Sequence, residues 1–198
     1  MGKNVFWYNT KVTKKDREKL LNQKSLVLWF FGLSASGKST IASELEKKLF
    51  QLNKKTYILD GDNIRKGLNS DLDFSMEHRL ENIRRISEIA KLFFDAGIIT
   101  LVSFITPLNK MRILSEKIIG EQNLIKIFVK TKIETCKKRD PKGLYKKVEQ
   151  GLIKNFTGIS SVFEKPEKPD LILDTDKYTV KECVEQILKY LKFKTIKD

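Results

Sequence analysis

The sequence predicts an α/β fold of three layers, a five-stranded parallel sheet with helices on both faces, and three observations predict it. Short runs rich in apolar residues at 26–31, 56–60, 98–104, 124–130 and 170–174 alternate with helical stretches. Strands that are buried on both faces read as such runs, and helical crossovers between them make neighbours parallel. The first run, Leu26-Val27-Leu28-Trp29-Phe30-Phe31, feeds directly into Gly32-Leu33-Ser34-Ala35-Ser36-Gly37-Lys38-Ser39-Thr40, which a helical pattern follows. Strand, glycine loop and helix in that order form the setting of a phosphate-binding loop. Finally, 198 residues of which 40% are hydrophobic suffice for one domain with a substantial core.

Residues 1–25 are polar apart from the aromatic cluster Phe6-Trp7-Tyr8. They read as a leader packed on the main domain expected at 26–198, and the stretch from Thr13 to Glu18 reads as a capped helix start. In the loop, Gly32 and Gly37 allow backbone angles closed to other residues, so successive N–H groups can turn toward a polyphosphate. The helix that begins near Lys38 adds its positive end. Lys38 is expected on the terminal phosphates, and the Ser39 hydroxyl on Mg²⁺. That helix places Ile41, Leu45, Leu49 and Leu52 on one side.

The second strand runs into Asp60-Gly61-Asp62-Asn63-Ile64-Arg65. Ligands of open parallel sheets collect at the carboxyl ends of the strands, so Asp60 should emerge beside the phosphate loop. A carboxylate there can hold Mg²⁺ through water or take the proton of an attacking hydroxyl. Gly61 lets the chain turn and present Asp62, Asn63 and Arg65. A long helix over 75–96, with Ser75 at its start and a stop at Gly97, shows Ile83, Ile86, Ala90 and Phe93 at helical spacing. Arg79 and Asn82 share a different face and, with Arg65, suit an anionic substrate. Surface ion pairing is the competing account, and the spacings Glu81 to Arg85 and Arg84 to Glu88 assign Arg84 and Arg85 to it. The sole histidine, His78, reads as a solvated helix residue. The segment 139–169 is irregular and basic and holds Gly143, Gly151, Gly158, Pro141, Pro166 and Pro169. Such a segment is a candidate lid.

The formal net charge of +14 admits a nucleic-acid partner, a membrane surface or an anionic small substrate. The lysines are spread along the chain, so general solvation is favoured over a nucleic-acid footprint, and no nucleic-acid or membrane partner is expected. No run reaches membrane-span length, and the N-terminus, with Lys3, Asn4 and Tyr8 among its apolar residues, has no continuous signal-peptide core. A cytoplasmic protein is the expectation. Cys136 and Cys183 have neither metal-ligand nor redox-motif spacing.

Taken together, the loop at 32–40, the run from Leu59 to Asn69, Glu81-Asn82-Ile83-Arg84-Arg85-Ile86, Ser103-Phe104-Ile105-Thr106-Pro107, the run from Arg139 to Lys147 and Phe156-Thr157-Gly158-Ile159 resemble the adenylyl-sulfate kinase family of P-loop kinases. Asn4-Val5-Phe6-Trp7 with Gln23-Lys24 resembles the bacterial N-terminus of that family. The resemblance implies a P-loop kinase fold and sulfate assimilation chemistry, in which the γ-phosphoryl group of ATP passes to the 3′-hydroxyl of adenosine 5′-phosphosulfate. It implies a substrate site of Asp62, Asn63, Arg65, Phe74, Arg79, Asn82, Ile105, Thr106, Lys142, Asn155 and Phe156, with Phe74 and Phe156 around an adenine. Arg139 would lie near the ATP base or phosphates, Lys38 would stabilise the transferring group, and Asp60 would serve as Mg²⁺-associated carboxylate or base. A homodimer is expected on the same ground. Rival readings are another small-molecule P-loop kinase and an ATP-dependent nucleic-acid-binding module. Thr106 stands where the family usually has a serine, and is read as a substrate contact. Asp73 and Asn155 stand at usual glycines, which is expected to stiffen two loops.

Overall fold

The structure is a computed structural model that describes residues 4, 6 and 8–195, with side chains as far as residue 192. Lys3, Val5 and Trp7 of the leader lie outside the described residues. Five strands, β1 (Leu26–Phe31), β2 (Thr56–Asp60), β3 (Ile99–Ser103), β4 (Leu124–Lys130) and β5 (Leu171–Asp174), form one sheet in the order β2-β3-β1-β4-β5. Every pairing is parallel, with Leu28 opposite Leu101 on one side and Ile125 on the other. The expected strands at 98–104 and 170–174 lose a residue or two at their ends. Phe104 still donates its N–H to Phe30 at 3.1 Å, just beyond β3.

Strand alternation explains the layers. Leu28 and Phe30 of β1 face one core, where α2 (Lys38–Gln51) supplies Ile41, Leu45 and Leu49 and α8 (Val180–Thr195) supplies Cys183, Val184 and Ile187. Val27, Trp29 and Phe31 face the other core, against Ile83, Ile86 and Ala90 of α4 (Met76–Asp95) and Met111 and Ile119 of α5 (Asn109–Ile119). Both faces of the central strand are therefore dry, which is why its sequence is an unbroken apolar run. Leu52 departs from its expected place on the α2 stripe. It caps the helix and is 60% exposed, because the chain leaves the sheet surface after Gln51. Phe93 is half-buried and stacks on Tyr57 at 4.9 Å.

Helix α1 (Lys14–Leu21) begins at a capping box between Thr13 and Asp16, as the sequence predicts. Gln23 then donates to the carbonyls of Lys55 and Gly97, fastening this leader to the amino ends of β2 and β3. Ser75 caps α4 by accepting from the His78 N–H. A short α3 (Gly61–Arg65) follows β2, and α6 (Ile133–Arg139) follows β4. The expected lid is less irregular than its glycines and prolines suggest, since it contains α7 (Leu144–Glu149). Cys136 and Cys183 are both buried thiols, pushed up in pKa by that burial.

Candidate active site

The strand order reverses at β1, so the loop that leaves its carboxyl end opens at the sheet's switch point. Residues 32–37 wrap there ahead of α2. Gly32 sits so close to β4 that a Cβ would lie 2.4 Å from the Val129 carbonyl oxygen, and Gly37, at φ +99°, is the N-cap of α2. Ala35 also takes a left-handed conformation, at φ +58°. The Lys38 ammonium curls back over the loop, donating to Gly32 O at 3.1 Å and Leu33 O at 2.6 Å. Burial lowers its pKa to about 8, opposed in part by nearby acidic groups including Asp60 and Asp62. Thr40 is exposed on the first turn of α2.

Ser39 and Asp60 meet as the strand-end rule predicts. The Ser39 hydroxyl donates to Asp60 Oδ2 at 2.7 Å and lies 3.1 Å from the Ser103 hydroxyl at the end of β3. Asp60 Oδ1 accepts the Asp62 N–H at 3.0 Å, which caps α3 and fixes the carboxylate. Hydroxyl and carboxylate oxygens beside a phosphate loop are the donor set that Mg²⁺ accepts, so these residues fit that ion. Ser103 does not stand out as a site residue in the sequence, although its place at the carboxyl end of β3 is the signal that could find it.

Arg139 lies at the other end of the loop. It donates to Thr175 O at 2.7 Å and Thr175 Oγ1 at 3.0 Å. Thr131 and Thr175, which no sequence motif marks, both reach the Ser36 carbonyl at 3.2 Å. Tyr145 of α7 donates its hydroxyl to Ser34 O at 3.0 Å, and Leu33 and Ala35 pack into the cluster of Cys136, Tyr145 and Phe156. Leu33 and Ala35 of the phosphate loop thus form an apolar seat for the segment 139–169. Phe156 is only 9% exposed, edge-on to Tyr145.

Across the cleft, Arg65 and Arg79 are half-buried, and among the described residues neither is ion-paired. Arg65 donates to Leu72 O at 2.8 Å and lies over the Phe74 ring at 4.4 Å. Arg79 donates to Phe74 O at 2.8 Å, to Thr157 Oγ1 at 2.5 Å and to Asn155 O, so one guanidinium joins α4 to both expected aromatic walls. Burial pushes the pKa of each arginine down, and the charge of Arg65 adds to the effect at Arg79. Arg84 and Arg85 differ. Both pair with Glu81, at 2.7 and 2.9 Å, and Arg85 also pairs with Asp71. Arg84 thus uses Glu81 in place of the expected Glu88.

Lys142 of the lid pairs with Asp62 on α3, while Asn63 is exposed beside them. Asn82 is 5% exposed and accepts from Asn69 Nδ2 at 2.9 Å. Ile105 is half-buried, and its carbonyl accepts the Gly32 N–H at 3.2 Å. Thr106 is 1% exposed and its hydroxyl accepts from Trp29 Nε1 at 2.9 Å. Asn155 occupies the left-handed region itself, at φ +55°, a conformation asparagine tolerates better than most residues. Asp73 turns its side chain to the Ser75 N–H at 2.8 Å and so helps to start α4.

A phosphate loop at the switch point, a hydroxyl–carboxylate pair next to it, guanidinium groups free of carboxylate partners among the described residues opposite, and a lid seated on the loop define a small-molecule kinase of the P-loop class. Shikimate kinase from Aquifex aeolicus shares this fold at a TM-score of 0.52 and 15% identity, over 86% of this chain and 99% of that one. The profile of the adenylylsulphate kinase family matches residues 24–174, and the chain belongs to that family. It is 56% identical to the adenylyl-sulfate kinase of Clostridium acetobutylicum over 189 residues, 96% of this chain and 94% of the relative. It is 50% identical to the Staphylococcus carnosus adenylyl-sulfate kinase over 96% of each chain. The Mycobacterium tuberculosis APS kinase CysC, solved in complex with AMPPNP and APS, aligns with a TM-score of 0.83 at 42% identity, over 85% of this chain and 98% of that one.

Proposed function

We propose that this chain transfers the γ-phosphoryl group of ATP to the ribose 3′-hydroxyl of adenosine 5′-phosphosulfate, giving 3′-phosphoadenylyl sulfate and ADP. The carrying observation is the arginine pair. Arg65 and Arg79 hold half-buried positive charge with no salt bridge among the described residues, Asp62 and Asp73 acting on Arg65 only through space, and Arg79 is bound to the segment whose Gly158 packs on Leu33 of the phosphate loop. Guanidinium groups so placed select an anionic acceptor, since phosphate and sulfate oxygens match their fork of donors.

In this reading the amides of residues 32–38 and the α2 N-terminus hold the donor phosphates. Lys38 leaves the Gly32 and Leu33 carbonyls for the transferring group, and Arg139 with Thr175 borders the donor base. Ser39 and Asp60 would hold Mg²⁺, which supplies charge neutralisation on the phosphates. Asp60 takes the proton of the attacking 3′-hydroxyl. Asp62, Asn63, Asn82, Ile105 and Thr106 line the acceptor, while Phe74 and Phe156 flank its adenine. Lys142 exchanges Asp62 for the reacting phosphates as the lid closes, and Asn155 sets the lid backbone over the acceptor. Thr106 meets the acceptor through the backbone of its turn and carries no phosphoryl group, since its hydroxyl is buried on Trp29 and direct in-line transfer needs no covalent step. Residues 26–198 are the kinase body, 139–169 its lid and 1–25 its leader. The working form is a cytoplasmic homodimer.

The test is an acceptor panel. ADP release should require adenosine 5′-phosphosulfate and stay at background with a nucleoside, shikimate or gluconate. An equal rate with any of these three would overturn the assignment.

A further inference from the structure

Thr106 is a β-branched residue at φ +45° followed by proline, and both features disfavour that backbone shape. Two side chains outside the substrate site hold it there. Trp29, on β1, donates its indole N–H to the Thr106 hydroxyl at 2.9 Å. Arg112, on α5 and 6% exposed, donates from Nε to Thr106 O at 3.1 Å and from Nη2 to Pro107 O at 2.9 Å.

The same guanidinium reaches the far end of the lid. Arg112 Nη2 also donates to Glu164 O at 3.0 Å, and its guanidinium carbon lies over the ring of Phe31, at 4.8 Å, and that of Phe163, at 5.1 Å. Glu164 answers in kind: its N–H donates to Pro107 O at 2.9 Å and its carboxylate accepts the Asn109 N–H at 2.6 Å. Ile105, one residue before the strained turn, is tied to Gly32 of the phosphate loop. One buried arginine thus touches the acceptor turn and the lid's C-terminal foot, and the turn itself touches the donor loop.

We propose that Arg112, assisted by Trp29, is a positioning residue for the acceptor, locking the turn at 105–107 and the lid foot at 163–164 into one rigid body. This inference rests on the reading that Ile105 and Thr106 meet the acceptor. The arginine touches no substrate and acts through the turn. A lysine could keep the charge, yet its single point of donation cannot serve three carbonyls in one plane or lie over two rings.

Steady-state kinetics and thermal melting of wild type, Arg112→Lys, Trp29→Phe, Thr106→Val and the Trp29→Phe/Thr106→Val pair decide it. Turnover of the wild type with adenosine 5′-phosphosulfate first confirms the functional reading, and its absence would sink that reading by itself. Arg112→Lys should raise the acceptor KM about tenfold or more while the ATP KM stays within about twofold, the scale of a lost charged hydrogen bond. Trp29→Phe keeps an aromatic ring in the core but removes the indole N–H and leaves the hydroxyl without its donor, and should shift the acceptor KM in the same direction. The double variant should be no worse than the poorer single one, because both remove the same contact. Variants that melt earlier yet keep the wild-type acceptor KM when assayed well below their melting temperature would overturn the inference and leave the reaction assignment intact. If Arg112→Lys does not fold, Arg112→Gln supports or overturns the inference by the same acceptor KM, and the tryptophan and threonine cycle reads the contribution of Trp29.

Discussion

Lys38 shows how a single side chain carries both a structural cost and a function. Its ammonium is buried among loop carbonyls, and burial holds its pKa near 8 against an ordinary 10.5. Between those values the folded, nucleotide-free enzyme binds less than a full proton at this site, whereas phosphates favour the charged form. Nucleotide binding should therefore take up protons in that window, and affinity should fall as pH rises through about 8. Calorimetry in two buffers of different ionisation enthalpy reads the uptake, and identical binding enthalpies at pH 9 would refute it. Two substitutions separate donor from acceptor at the same scale. Asp60→Asn preserves an oxygen for the Asp62 N–H but removes the charge and the base, so kcat should drop about 10²-fold or more with melting little changed. Arg79→Gln should instead raise the acceptor KM by about 30-fold, equivalent to about 2 kcal/mol from a charge-assisted contact, and spare the ATP KM.

At the scale of elements, the lid depends on its seat. A Cβ at Gly158 would lie 2.7 Å from Leu33 Cδ2, and the φ of +87° adds the strain of a left-handed residue. Gly158→Ala should destabilise the docked lid by about 1–2 kcal/mol. Limited proteolysis reads that change as faster cleavage within 139–169, and unchanged cleavage would contradict it. Helix α4 carries a separate prediction. The Glu81 carboxyl is held down to about 2 by hydrogen bonds from Arg84 and then Arg85. A depressed carboxyl contributes stability that is complete above its unfolded value of 4.5 and vanishes as pH falls toward 2. Glu81→Gln should therefore flatten the acid limb of the stability curve between those values, as melting at successive pH values would show.

The elements also show what their residues announced. The loop, Asp60 and the stripe of Ile83, Ile86 and Ala90 were legible because spacing along one strand or helix fixes them. Periodicity puts Leu52 on the buried stripe of α2, because it cannot say where a helix leaves the sheet. Helix α7 went unseen because Gly143 and Gly151 bracket a stretch too short to show a period. Spacing already separates Arg85, four residues after Glu81, from Arg79. Only the fold reveals that Asp71 reaches Arg85, while Arg79 meets neutral oxygens.

For the whole molecule, assembly and charge are what bear on function. Phe50 and Leu52, at the end of α2, are 74% and 60% exposed, and the proposed homodimer would have apolar surface of this kind to cover. Sedimentation equilibrium should report twice the 23.0 kDa chain mass, and a single-chain mass would refute the dimer. The charge of +14, though spread along the chain, favours the approach of anionic nucleotides, so acceptor kcat/KM should fall with added salt.

By itself the sequence determined the chemistry available: an apolar strand, a glycine loop with Lys38 and Ser39, and a carboxylate at the end of the following strand. These are local relations, set by backbone conformation and side-chain type. Only the tertiary structure decided the order β2-β3-β1-β4-β5 and the meetings it creates, Ser39 with Asp60 across 21 residues, Trp29 with Thr106 across 77 and Arg79 with Thr157 across 78. Those contacts depend on which strand the chain crosses to and which rotamer packing leaves open, and neither is written in the spacing of residues along the chain.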